Sequence, residues 1–164
     1  MKSNYIHTPA GHDYQSVVIK CSCGCSFLEI WIDNYDDSVE AGITYYGPQH
    51  KAKYPDFYFL SSDDFELFCN AIFAFSIDPA PMNTPLTLGT TVDLANGKIK
   101  FNGCIEVNTD EYGLGFMDII RRPEAGSRKY WWDITLRDVE YKEVGEALQE
   151  LFKKYKELEE VYHK

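Results

Sequence analysis

Residues 59–72 align without a gap on residues 135–148, and this internal correspondence limits the fold more than any other feature of the chain. Phe59-Leu60-Ser61-Ser62-Asp63-Asp64-Phe65 stands against Thr135-Leu136-Arg137-Asp138-Val139-Glu140-Tyr141. Further on, Phe68, Ala71 and Ile72 stand against Val144, Ala147 and Leu148. Each stretch reads as the end of a strand passing through a polar cap into a helix whose apolar residues recur at steps of three and four. The order upstream is also shared: strand, tight turn, strand, turn, strand, proline-containing loop, strand. A repeat this long predicts a chain built from one unit used twice.

The expected fold is therefore α+β, with two similar antiparallel units of four strands and a helix, packed as a pseudo-dimer. One helix covers only one face of a sheet, so each unit would need the other to shield its remaining apolar surface. The chain reads as a single globular unit over 1–164. Its halves are 1–78 and 90–164, with a proline-containing linker at 79–89. In the first half, residues 16–21, 27–33, 39–46 and 56–60 read as strands, while 1–15 read as polar and irregular. Ser61 to Asp64 caps a helix carrying Phe65, Phe68, Ile72 and Phe75, which Asp78-Pro79 ends. In the second half the strands fall at 90–94, 98–101, 104–108, 114–120 and 130–136. A helix from near Asp138 then carries the seam Val144, Leu148, Leu151, Tyr155, Leu158 and Tyr162.

Charge separates the halves. The net charge is −10. Between Cys21 and Gly97 the basic side chains are Lys51 and Lys53, against eleven Asp and Glu. Such a surface repels a phosphate backbone, which argues against nucleic acid as a partner of the first half and favours a protein target with a basic surface. Basic residues gather in the second half: Arg121-Arg122 and Arg128-Lys129, next to Tyr130-Trp131-Trp132, read as a basic loop beside aromatic rings. No apolar run is long enough to span a bilayer, and the first residues lack the order of a secretory signal. Five cysteines, three of them crowded into Cys21-Ser22-Cys23-Gly24-Cys25, do not read as a disulfide framework. These features predict a soluble, cytoplasmic protein.

Catalytic patterns are weak. His12-Asp13 has no nucleophile motif to serve, and Asp36-Asp37 and Asp63-Asp64 are explained as a turn and a helix start. The expectation is a protein that is not an enzyme and carries no cofactor. Its alternative is a small zinc module on Cys21, Cys23 and Cys25, with a fourth ligand from His7, His12, His50, Cys69 or Cys104. The residues expected to meet a partner are Glu29, Asp33, Tyr35, Asp36, Asp37, Glu40, Tyr45 and Tyr46, which combine acids with tyrosines on consecutive strands.

The segment Ile19-Lys20-Cys21-Ser22-Cys23-Gly24-Cys25-Ser26-Phe27-Leu28-Glu29-Ile30, with Phe59 to Leu67 downstream, resembles small uncharacterised proteins of bacteriophages and Firmicutes. These carry a Cys-x-Cys-Gly-Cys turn between strands. The likeness covers the first half and implies an accessory protein of a phage or mobile element. Joined to the acidity, it implies a phage-encoded anti-defence inhibitor or a toxin-immunity protein, which sequesters or inhibits its target.

Overall fold

The computed structural model describes residues 4–7, 13–35, 38–47, 56–77, 85–89, 92–93, 99–100, 104–109, 116–122 and 132–162. The fold is α+β. Five strands form the first sheet: β1 (Asn4–His7), β2 (Asp13–Lys20), β3 (Phe27–Tyr35), β4 (Ser38–Tyr46) and β5 (Phe57–Tyr58). They lie in sequence order, and every neighbouring pair is antiparallel. Helix α1 (Ser62–Ile77) follows. The second half opens with β6 (Leu86–Leu88), then β7 (Val92–Asp93), β8 (Ile99–Lys100), β9 (Cys104–Thr109), β10 (Met117–Arg122), β11 (Trp132–Leu136) and α2 (Asp138–Tyr162). Its sheet has the order β11-β10-β9-β6, and β7 with β8 makes a separate two-stranded ribbon.

Two strands depart from the sequence reading. Asn4–His7, expected to be irregular, pairs with Tyr14 and its neighbours as an outermost strand. Leu86–Leu88, inside the expected linker, pairs with Ile105 to Val107 as the fourth strand of the second sheet. That place was expected to go to residues 98–101, which instead contribute β8 to the ribbon.

Alternation decides which faces are buried. In β3, Leu28, Ile30 and Ile32 point inward, as do Val39, Ala41 and Ile43 in β4. In the second sheet Ile105, Val107, Met117, Ile119, Ile134 and Leu136 do the same. These residues and both helices form one continuous core. Helix α1 starts as its sequence demands: the Asp64 amide donates to Ser61 Oγ at 3.2 Å, and Asp63 and Asp64 sit in the first turn.

The helices pack against each other and lean on the opposite half. Helix α2 lies on β2, β3 and β4 of the first sheet, while α1 meets β6 of the second. They run antiparallel: Gln149 Nε2 donates to Asn70 Oδ1 at 2.8 Å, and Phe65 sits edge-on to Tyr155 near the other end. Gly145 permits the approach, since a Cβ there would stand 3.0 Å from Phe73 Cα. Ile72, Leu148 and Leu151 are wholly buried, each contributing about 1.5–3 kcal/mol by leaving water.

Candidate functional site

The outer face of the first sheet, turned away from the helices, carries a cleft. Strand parity builds it. In β3 the residues between the core positions are Glu29, Trp31 and Asp33, and in β4 they are Glu40, Gly42, Thr44 and Tyr46. The register sets Glu29 opposite Thr44, Trp31 opposite Gly42 and Asp33 opposite Glu40. Strand β2 adds Tyr14 and Ser16. On the other side, Tyr58 pairs with Gly42, and Asp56 precedes it. The cleft encloses about 620 Å³ and is lined by four acids (Glu29, Asp33, Glu40, Asp56), four aromatics (Tyr14, Trp31, Tyr46, Tyr58) and Thr44.

Gly42 makes room for the indole, since a Cβ there would stand 2.5 Å from Trp31 Cζ2. Trp31 is stacked on Tyr14 with centroids 6.4 Å apart, and Tyr58 meets it edge-on at 5.8 Å. Its Nε1–H donates to Thr44 Oγ1 at 3.0 Å, and the Thr44 hydroxyl donates to Asp56 Oδ1 at 2.9 Å. Glu29 accepts from the Tyr14 hydroxyl at 2.6 Å, from Ser16 Oγ at 2.9 Å and from the Tyr46 hydroxyl at 3.4 Å.

The electrostatics follow from burial. Burial, with the Glu29 carboxylate beside it, pushes the Tyr14 phenol far up. Tyr46 is raised by burial and by Glu29, and Tyr58 by burial and by Asp56. These phenols therefore stay protonated and act as donors. Burial also raises the Asp56 carboxyl, although the Thr44 hydroxyl and the Arg121 guanidinium pull it down. Among the described residues no basic side chain lines the cleft. Electron-rich ring faces beside carboxylates stabilise a cation.

Of the residues expected to meet a partner, Glu29, Asp33, Glu40 and Tyr46 are gathered here. Tyr45 is not: parity turns it to the other face, where it stacks on Trp132 with centroids 5.3 Å apart. Tyr35 ends β3, with its side chain outside the described residues, as are Asp36 and Asp37. Sequence reasoning missed Tyr14, Trp31, Thr44, Asp56 and Tyr58. The signal available for Trp31 and Thr44 was the alternation itself.

The cysteine turn is a second feature. Gly24 N donates to Cys21 O at 2.9 Å, Cys21 N donates to Ser26 O at 3.0 Å, and Gly24 takes a φ of 79°. The turn is fastened to β11: Ser22 N and Ser22 Oγ each donate to Thr135 O at 2.8 Å, and the Thr135 amide donates to Cys21 Sγ at 3.4 Å. Cys23 and Cys25 are exposed. Of the other expected zinc ligands, Cys69 is buried in α1 and Cys104 starts β9, while the side chains of His7, His12 and His50 lie outside the described residues. Among the described residues no group of three or more His, Cys, Asp or Glu is arranged to hold a metal ion.

The first two residues of the expected basic loop lie in a strand. Arg121 and Arg122 belong to β10, and alternation sends them to opposite faces. Arg121 is fully buried, its guanidinium 5.5 Å from the centroid of the Phe57 ring, and burial lowers its pKa to about 10. Arg122 pairs with Glu106 at 3.1 Å. Trp132 faces the core rather than presenting a stacking surface. Residues 123–131 lie outside the described residues, as do the side chains of His12 and Asp13. No helix of the described residues is long and apolar enough to cross a membrane.

No protein-family model matches the chain, and no curated protein matches it.

Proposed function

We propose that this chain is an acidic, non-enzymatic binding protein that sequesters or inhibits a protein target, seating a lysine or arginine side chain of the target's basic surface in the outer cleft of the first sheet. The observation that carries this reading is the lining of that cleft, which among the described residues comprises four carboxylates and four aromatic rings and no basic side chain. A cation entering there meets ring faces and negative charge together. The acidic first half would speed encounter with a basic partner and help to select it. The resemblance of the Cys-turn segment to phage proteins supports a role as an anti-defence inhibitor or immunity protein, acting in the host cytosol.

Two packing features support the further reading that the halves are copies arranged as a pseudo-dimer. Their helices pair antiparallel, and each leans on the sheet of the other half.

Affinity capture from the native host tests the function. The immobilised chain should retain a basic protein at about 0.05 M salt and release it at about 0.5 M. A Glu29→Gln/Glu40→Gln variant should retain at most about a tenth as much, as expected when paired charges are removed. Equal capture by that variant, or elution indifferent to salt, would overturn the reading.

A further inference from the structure

The cysteine turn suggests an activity separate from the cleft. Cys23 and Cys25 stand exposed on either side of Gly24, whose φ of 79° bends the backbone between them. Among the described residues, nothing lies within 4 Å of a Cβ added at Gly24, which leaves that side of the turn open to an incoming molecule. The bend aims the Cys25 amide at Cys23 Sγ, 3.4 Å away. An N–H pointed at sulfur favours the thiolate over the thiol, as does an S–H donated by a neighbouring cysteine.

The three thiols of the turn are not equivalent. Cys21 is half-buried, and its sulfur accepts the Thr135 amide, which fixes it against β11. Cys23 receives donors from Cys25, side chain first and then backbone, and these with the Cys21 thiol bring its pKa down to about 7. Cys25 is shifted the other way: it keeps its proton because that proton is shared with the Cys23 sulfur. The sulfur that the Cys25 amide points at is thus about half ionised near pH 7, and its neighbour holds a proton that it needs only while the first stays charged.

We propose that Cys23-Gly24-Cys25 is a thiol–disulfide exchange site for small disulfides, with Cys23 the attacking thiolate and Cys25 the resolving thiol. The Cys23 thiolate attacks one sulfur of the substrate, R–S–S–R. The S–S bond breaks, one RS⁻ leaves and takes a proton from water, and a Cys23–S–S–R mixed disulfide forms. The charge that held the Cys25 proton is now gone. Cys25 gives its proton to solvent and attacks Cys23 Sγ, the second RS⁻ leaves and is protonated, and the Cys23–Cys25 disulfide closes. In balance, one substrate disulfide is reduced to two thiols while the two cysteines are oxidised to one disulfide. An attacking thiol whose pKa lies near the ambient pH combines a large thiolate fraction with good nucleophilicity.

The test uses the full chain, reduced, with glutathione disulfide as the probe, acid quenching and peptide mass mapping. Wild type is expected to lose two hydrogens across Cys23 and Cys25 and to release two glutathiones. Cys25→Ser should stop with one glutathione on Cys23, and Cys23→Ser should react at least about tenfold more slowly at pH 7, as loss of the main thiolate requires. The rate of Cys23 alkylation by iodoacetamide should rise with a midpoint near pH 7. A mixed disulfide that persists on Cys23 in wild type, first attack at another cysteine, closure onto Cys21, or an alkylation midpoint near the ordinary thiol value would each overturn the proposal. Unchanged far-UV circular dichroism of both variants separates lost chemistry from lost fold.

Discussion

Trp31 lies so close over Gly42 that the glycine's missing side chain is part of the cleft floor. A methyl group at position 42 would meet the indole Cζ2 at 2.5 Å and the Phe57 carbonyl oxygen at 2.7 Å. The indole can swing away, but the carbonyl belongs to the β4–β5 pairing and cannot move without it. Gly42→Ala is expected to cost about 1–3 kcal/mol, the usual range for overpacking. Urea unfolding would give the loss, and a shifted Trp31 indole N–H resonance would show the ring displaced. Wild-type stability with an unmoved resonance would contradict this account.

Thr44 stands between two groups that both depend on it. Its Oγ1 accepts from Trp31 and its hydroxyl donates to Asp56. Thr44→Val keeps the shape and removes both bonds, leaving a buried indole N–H with no acceptor, at a cost of about 1–3 kcal/mol. The hydroxyl also helps to hold the Asp56 carboxyl down. The carboxyl should therefore titrate higher in Thr44→Val than in wild type, as read by carbon-13 NMR of Asp56. A lower titration would count against the relay.

The Asp56 carboxyl sits above its ordinary value of 3.8 because burial disfavours the charged form. A group raised in the folded state contributes stability below its unfolded pKa, and loses that contribution as pH rises through the folded one. Asp56→Asn, which can still accept from Thr44, should therefore melt higher than wild type at pH 7. The difference should shrink as pH falls to about 3, where both side chains are neutral. A gain that is constant across pH would remove charge burial as its cause.

Leu148 is fully buried where the helix pair meets the first sheet, whereas Val161 near the end of α2 is 65% exposed. Leu148→Ala should cost about 2–5 kcal/mol, and Val161→Ala no more than about 0.5 kcal/mol. Chemical denaturation measures both. Similar losses at the two sites would mean that α2 does not carry the core.

Much of this fold was legible because its strands alternate cleanly. Val17 and Ile19, Leu28 to Ile32, and Val39 to Ile43 each write one face of a sheet, and the seam Val144, Leu148, Leu151, Tyr155 writes one face of a helix. Asn4–His7 was not legible, because four mixed residues at the rim of a sheet carry no alternating signal. Leu86–Leu88 was lost between Pro85 and Gly89, where a three-residue strand looks like a loop until its partner is known. That α2 lies on β2, β3 and β4 while α1 meets β6 is a tertiary choice that no local pattern records. Three of the acids in the cleft, Glu29, Asp33 and Glu40, were found through their charge. Tyr45 was grouped with it by nearness in sequence, although parity separates it from Tyr46. Asp56 and Tyr58 belong to a strand whose pairing with β4 had not been placed.

Ser22 and Cys21 have a consequence beyond their turn. β11 is the terminal strand of its sheet, and a terminal strand offers its main-chain groups as a template for another chain. At Thr135 both groups are already taken, the carbonyl by Ser22 and the amide by the Cys21 sulfur. The thiol turn is therefore also a guard on that edge. Any reaction that pulls it loose would leave the Thr135 amide and carbonyl open to pairing with another strand.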